Sequence, residues 1–126
     1  MNAMSETQEP DFDWSQAASL LGDDPNAVEA DMAAIVRELV EGADVQFQEL
    51  KLKNAETDRK AISSLAHGLR GCLLNFGFTE VGGLLMQVEK GAYPAGEYLD
   101  RINQAQSVFV ASKKVLAARY PSLGLS

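Results

Sequence analysis

Along most of this chain, apolar residues return every three or four positions, and no stretch alternates with the period of two that a strand needs. A chain with only the helical period can bury its apolar faces only by packing helix on helix. Glycines, prolines and capping residues divide the pattern into five helices. The first is short, Trp14 to Leu21, with Asp13 as cap, Gln16 completing a capping box and Gly22 as stop. The second is expected to start at an Asp24 cap with Pro25 in its first position. Its stripe is Val28, Met32, Ile35, Leu39, Ala43, Phe47 and Leu50, and it ends near Asn54. The third spans about Asp58 to Phe76, with Thr57 as cap, Ile62, Leu65, Ala66, Leu69, Leu73 and Phe76 inward, and Gly77 as stop. Thr79 caps a fourth helix running to Lys90, with Val81, Leu84, Leu85 and Val88 inward and Gly91 as stop. Pro94 opens a fifth, which ends before Pro121 and carries Tyr98, Ile102, Ala105, Phe109 and Leu116. Four long amphipathic helices joined by short loops predict an all-α, antiparallel up-down four-helix bundle, with the short N-terminal helix across one end or side.

The 126 residues suit one domain, and 46% hydrophobic residues are enough for a core. Residues 13–126 are read as that domain, and residues 1–12 as a disordered or tag-derived N-terminus. A net charge of −7 argues against nucleic acid or an anionic membrane surface as the main partner. The N-terminus is too acidic for a signal peptide, and no apolar run approaches the roughly 20 residues of a membrane span. The lone cysteine, Cys72, forms no intrachain disulfide and belongs to no Cys/His metal cluster, which points to a reducing, cytoplasmic setting.

Candidate chemistry converges on His67, the only histidine. At about 100° per residue it lies roughly 150° from the centre of its helix's apolar stripe, so it faces solvent in mid-helix. Lys60, Ser63, Ser64, Arg70, Gly71 and Leu74 share that outer face. A lone exposed histidine is ordinarily just a solvated side chain, but three local features argue for more. Gly68 and Gly71 interrupt the helix, each at roughly 1 kcal/mol relative to alanine. Gly71 is one turn beyond His67 on the same face, where a missing side chain leaves the ring uncovered and lets another surface come close; Gly68 has an alternative account in close helix packing. Arg70, three residues on, is placed to pair with a phosphoryl group on the ring, although a surface charge needs no such role. Finally, no second histidine, Ser/His/Asp set or Gly-rich phosphate loop offers self-sufficient catalysis. A histidine that accepts a group from a partner needs only exposure, a neutral ring nitrogen and nearby positive charge.

The stretch from Ala66 to Gly77, AHGLRGCLLNFG, resembles the signature of histidine-containing phosphotransfer (HPt) domains: histidine, an apolar residue, a lysine or arginine, a glycine, and a later glycine ending the helix. Here these are His67, Leu69, Arg70, Gly71 and Gly77. LLMQVEKGA resembles the family's next helix, and the four-helix layout matches from about residue 24 to 120. The resemblance implies that His67 is the phospho-acceptor, its Nε2 exchanging a phosphoryl group with an aspartate of a response-regulator receiver domain. The partners implied are that receiver and a sensor or hybrid histidine kinase. The chain itself would need no cofactor and no metal, because Mg²⁺ would sit in the receiver, and it would be a monomeric phosphocarrier rather than an autonomous kinase. Arg70 departs from the commoner lysine. Cys72 and Leu73 replace the small or hydroxyl residues usual after the glycine, and Cys72 is expected to pack near the stripe's edge. Phe78 stands where a small residue is frequent, covering the bundle end or meeting the partner.

A further group should fix the imidazole through Nδ1 and leave Nε2 free. Geometry alone leaves Gln87 and Glu89 open; the resemblance favours Glu89. Lys60, two turns before His67, adds to the positive field or is simply a surface lysine. The alternative function is a helical adaptor that binds a receiver or other signalling protein without being phosphorylated, and a metal or cofactor bundle is disfavoured by the single outward histidine.

Overall fold

The computed structural model describes residues 9–125, and among them every regular element is helical. The five α-helices are α1 (Trp14–Leu21), α2 (Ala30–Leu52), α3 (Arg59–Asn75), α4 (Thr79–Lys90) and α5 (Tyr98–Arg119), with single 3₁₀ turns at Ala95–Glu97 and Pro121–Leu123. Helices α2 to α5 each pack on the next, and α5 returns to α2, so the four enclose one core. Phe47, Ile62, Leu69, Leu73, Phe78, Leu85, Ile102 and Phe109 are completely or almost completely buried in it.

The most extensive helix pair is α3 with α4, the pair that builds the site. Leu74 late in α3 meets Gly82 early in α4, whereas Arg59 at the start of α3 reaches Val88 and Glu89 near the end of α4, so the two run antiparallel. The reversal is tight. Phe76, Gly77 and Phe78 turn the chain, and Gly77 adopts φ +97°, a conformation favouring glycine. A Cβ on Gly77 would also stand 2.8 Å from the Asp13 carbonyl oxygen, so this glycine lets the segment before α1 lie on the turn.

That segment corrects the expected boundary at residue 13. Residues 1–8 lie outside the described residues, but Asp11 and Phe12 are part of the packed structure. Asp11 N–H donates to the Glu80 carboxylate at 2.8 Å, and Asp13 N–H to the Gly77 carbonyl at 2.8 Å. Phe12 packs edge-on to Phe78 with ring centres 4.9 Å apart. Phe78 is therefore wholly buried under Phe12 rather than available to a partner.

The five helices are where they were expected, but of the expected N-caps only Asp13 holds. Asp13 accepts from Gln16 N–H at 3.0 Å, and Gly22 and Gly91 end their helices. Helix α2, however, begins at Ala30 and not at Pro25. Asp24 caps only a local turn, accepting from Asn26 N–H at 2.9 Å. Ser122 then holds the segment, donating to the Pro25 carbonyl and accepting from Val28 N–H. The inner face of α2 is Ala33, Val36, Val40, Ala43, Phe47 and Leu50, which leaves Ile35 half exposed. Thr57 does not cap α3: Asp58 precedes that helix, and its carboxylate accepts from Asn54 N–H. Phe78, not Thr79, occupies the position before α4. Pro94 opens the 3₁₀ turn ahead of α5. Cys72 is exposed, contrary to a packing role.

Candidate functional site

His67 lies in the middle of α3 on the face directed away from the core residues Ile62, Ala66, Leu69 and Leu73. Its side chain keeps 67% of its exposure. The helix beyond it is bare: a Cβ added to Gly68 or Gly71 would meet nothing within 4 Å. Close packing therefore explains neither glycine, which removes the alternative account of Gly68. Leu74, a turn beyond Gly71, and Met86 on α4 are partly exposed apolar residues.

His67 and Glu89 stand at equal sequence distance on either side of Phe78, so the antiparallel hairpin brings them level. His67 Nδ1 is 3.0 Å from Glu89 Oε2. The other carboxylate oxygen, Oε1, accepts from Arg70 Nε at 3.0 Å and also faces Arg70 Nη2 at 3.0 Å. Arg70 Nη2 further lies 3.2 Å from His67 Nδ1. The two Nδ1 contacts call for opposite tautomers, and the shorter one, to Glu89, together with the repulsion between an unprotonated Nδ1 and the carboxylate, favours the proton on Nδ1. A carboxylate only accepts, and a guanidinium only donates. Nδ1 must carry a proton to bond Glu89, and a protonated Nδ1 has no lone pair left for Arg70. With the proton there, the Arg70–Nδ1 approach follows from both groups gripping one carboxylate. In that tautomer the free lone pair lies on Nε2.

Partial desolvation pulls the Glu89 carboxyl upward, but the hydrogen bonds and charges of Arg70 and His67 together outweigh it and hold the group below its ordinary value of 4.5. Glu89 is accordingly ionised across the neutral range and able to accept from both neighbours.

Of the two candidates left open for orienting the ring, Glu89 reaches it and Gln87 does not. Gln87 Oε1 instead accepts from Arg101 at 3.0 Å, on the side of α4 that faces α5. Arg70 is directed to Glu89 along the Nδ1 edge of the ring. No contact of Lys60 with this cluster exists among the described residues.

One participant escaped the sequence reading. Arg59, at the first position of α3, extends to the far end of α4, and its Nη2 donates to the Glu89 carbonyl at 2.8 Å. The available signal was a cation in the first turn of a helix, where the macrodipole disfavours positive charge.

The described residues thus form an all-helical bundle with a solvent-facing histidine set beside a carboxylate and a guanidinium. The family model described as Hpt domain matches residues 27–109, most of the bundle, and the chain belongs to that family. Among curated proteins and among solved structures, nothing matches the chain. Membership associates the chain with phosphotransfer in two-component signalling, with kinases and receiver domains as the family's partners, and with carriers that lack kinase activity of their own. Among the described residues, no helix is long and apolar enough to cross a membrane.

Proposed function

We propose that this protein is a phosphocarrier in which His67 takes a phosphoryl group from an aspartyl phosphate of a receiver domain and returns it to an aspartate. The observation that carries the reading is the exposed imidazole with Nδ1 tied to Glu89. In the forward step the Nε2 lone pair attacks phosphorus. The P–N bond forms as the acyl P–O bond breaks, and the aspartate leaves as carboxylate. The ring keeps its Nδ1 proton throughout and becomes a phosphoimidazolium, whose positive charge Glu89 offsets. The reverse step restores the neutral ring without moving a proton, so one arrangement serves both directions. Positioning and charge stabilisation dominate such loose transition states, and the receiver supplies the Mg²⁺.

Arg70 acts in this scheme through Glu89, gripping the carboxylate that orients the ring, and adds its charge to the field around the phosphoryl group. Gly68 and Gly71 provide a bare helix surface on which the receiver settles, with Leu74 and Met86 as apolar contacts at the rim. Such a surface suits a partner that must bring its aspartate within bonding distance of Nε2.

The test is incubation with a phosphorylated receiver followed by detection of acid-labile label. Label is expected on the wild type and lost in His67→Gln. Binding to the receiver without label, undiminished in His67→Ala, would instead establish the adaptor function.

A further inference from the structure

Glu89 is held at both ends by arginines of α3. Arg70 grips its carboxylate, and Arg59 grips its main chain. Arg59 Nη2 donates to the Glu89 carbonyl at 2.8 Å and, less closely, to the Val88 carbonyl at 3.4 Å. These belong to the last turn of α4, where carbonyls run short of intrahelical donors; the Val88 carbonyl also accepts from Gly91 N–H at 3.2 Å. A guanidinium there also meets the negative end of the helix dipole. Gly91 makes room for it. That residue turns the chain out of α4 with φ +65°, and a Cβ there would stand 2.9 Å from both Cζ and Nη2 of Arg59. The glycine thus answers two demands, the left-handed turn and the space in which the guanidinium lies.

We propose that Arg59 is a positioning residue for His67: by clamping the final turn of α4 onto the start of α3, with Gly91 as its seat, it fixes where the Glu89 carboxylate meets the imidazole. The proposal rests on the phosphocarrier reading for its functional consequence, but not for its structural one. Without the clamp the last turn of α4 frays, and Glu89, two residues before Gly91, moves with it. Displacements near 1 Å at a positioning group cost up to about 100-fold in rate.

The experiment uses the full chain with ¹⁵N-labelled histidine, reading the His67 tautomer by NMR and, separately, the rate of phosphoryl uptake from a phosphorylated receiver. Wild type is expected to carry its ring proton on Nδ1. In Arg59→Ala the Nε2–H form should gain population and uptake should slow about tenfold, the loss typical when a group orienting a functional histidine is removed. Arg59→Lys should recover part of both, since an ammonium can still donate to one carbonyl. Gly91→Asn tests the seat apart from the turn: asparagine tolerates the left-handed conformation, yet its Cβ displaces the guanidinium. It should act like Arg59→Ala, and in the Arg59→Ala background it should add nothing further. A folded Arg59→Ala protein with wild-type tautomer and rate overturns the proposal. If that variant fails to fold, a wild-type tautomer in folded Gly91→Asn overturns it equally. Because the tautomer is read without any phosphoryl donor, a wild type that never takes label sinks the phosphocarrier reading while the clamp is still judged on the spectrum.

Discussion

At the scale of single residues, the site is one carboxylate shared between an imidazole and a guanidinium. Its two oxygens have separate tasks, Oε2 for the ring and Oε1 for Arg70. Glu89→Gln keeps an acceptor oxygen but brings an amide N–H₂ against one of two donors and removes the charge that offsets a phosphoimidazolium. Phosphoryl uptake should slow about 10–100-fold in a receiver-transfer assay. Gln87→Ala should leave it unchanged, because Gln87 is engaged with Arg101. Arg70→Lys should lie between wild type and Arg70→Ala, since an ammonium is a single point of charge with no planar fork to align the carboxylate. The pH response follows from the lowered carboxyl of Glu89. A depressed folded-state pKa means that this contribution is present above the ordinary carboxyl range and is lost as pH falls through the lowered value. The His67–Glu89 contact should therefore persist at neutral pH and open only in acid, a change that the histidine ¹⁵N signals would follow.

At the scale of elements, α3 carries its chemistry on a face it leaves bare. Gly68 and Gly71 have open space where a Cβ would go. Replacing either with alanine should therefore raise stability by roughly 0.5–1 kcal/mol through helix propensity alone, measured by urea unfolding. A bulky residue at Gly71 should leave the circular dichroism of the bundle intact while abolishing receiver docking; an equal loss of helix signal would mean the glycine is structural. Helix α2 shows where local signals mislead. Asp24 and Pro25 form a sound helix start by capping rules, yet α2 begins at Ala30 because Ser122, remote in sequence, claims the Pro25 carbonyl and Val28 N–H. The stripe then begins on Ala33, and Ile35, chosen for its hydrophobicity, faces solvent. By contrast the inward apolar residues of α4 and α5 were legible for the most part, since Val81, Leu85, Val88, Tyr98, Ile102, Phe109 and Leu116 recur at helical spacing; the buried Gly82 and Ser112 carry no such signal.

At the scale of the molecule, the two ends of the bundle are tied differently. At the α3–α4 turn, Phe12 lies on Phe78, Gln16 Nε2 donates to the Asn75 carbonyl at 2.8 Å, and the Arg119 guanidinium stacks 4.0 Å from the Trp14 ring centre. Phe12→Ala should cost about 2 kcal/mol of unfolding free energy, less than a fully enclosed phenylalanine, and leave phosphoryl uptake intact. At the opposite end Tyr98 is buried, and its hydroxyl donates to the Leu50 carbonyl at 2.6 Å. Burial pushes this phenol up from 10.0 to about 12. The fold favours the neutral form, so the contribution is complete below pH 10 and declines as pH rises toward 12. Thermal denaturation across that window should show a loss of stability that is smaller in Tyr98→Phe.

The order of apolar and breaking residues determined, by itself, that this chain is a helical bundle, that His67 faces outward and that a glycine lies one turn beyond it. Those are consequences of helical periodicity, which any local reading can count. Only the tertiary structure decided between Gln87 and Glu89, sent Arg70 to the carboxylate, drew Phe12 onto Phe78 and brought Arg59 to the end of α4. Each of these depends on the rotation and offset of one helix against another, quantities set by how whole faces interlock and carried by no single segment of sequence.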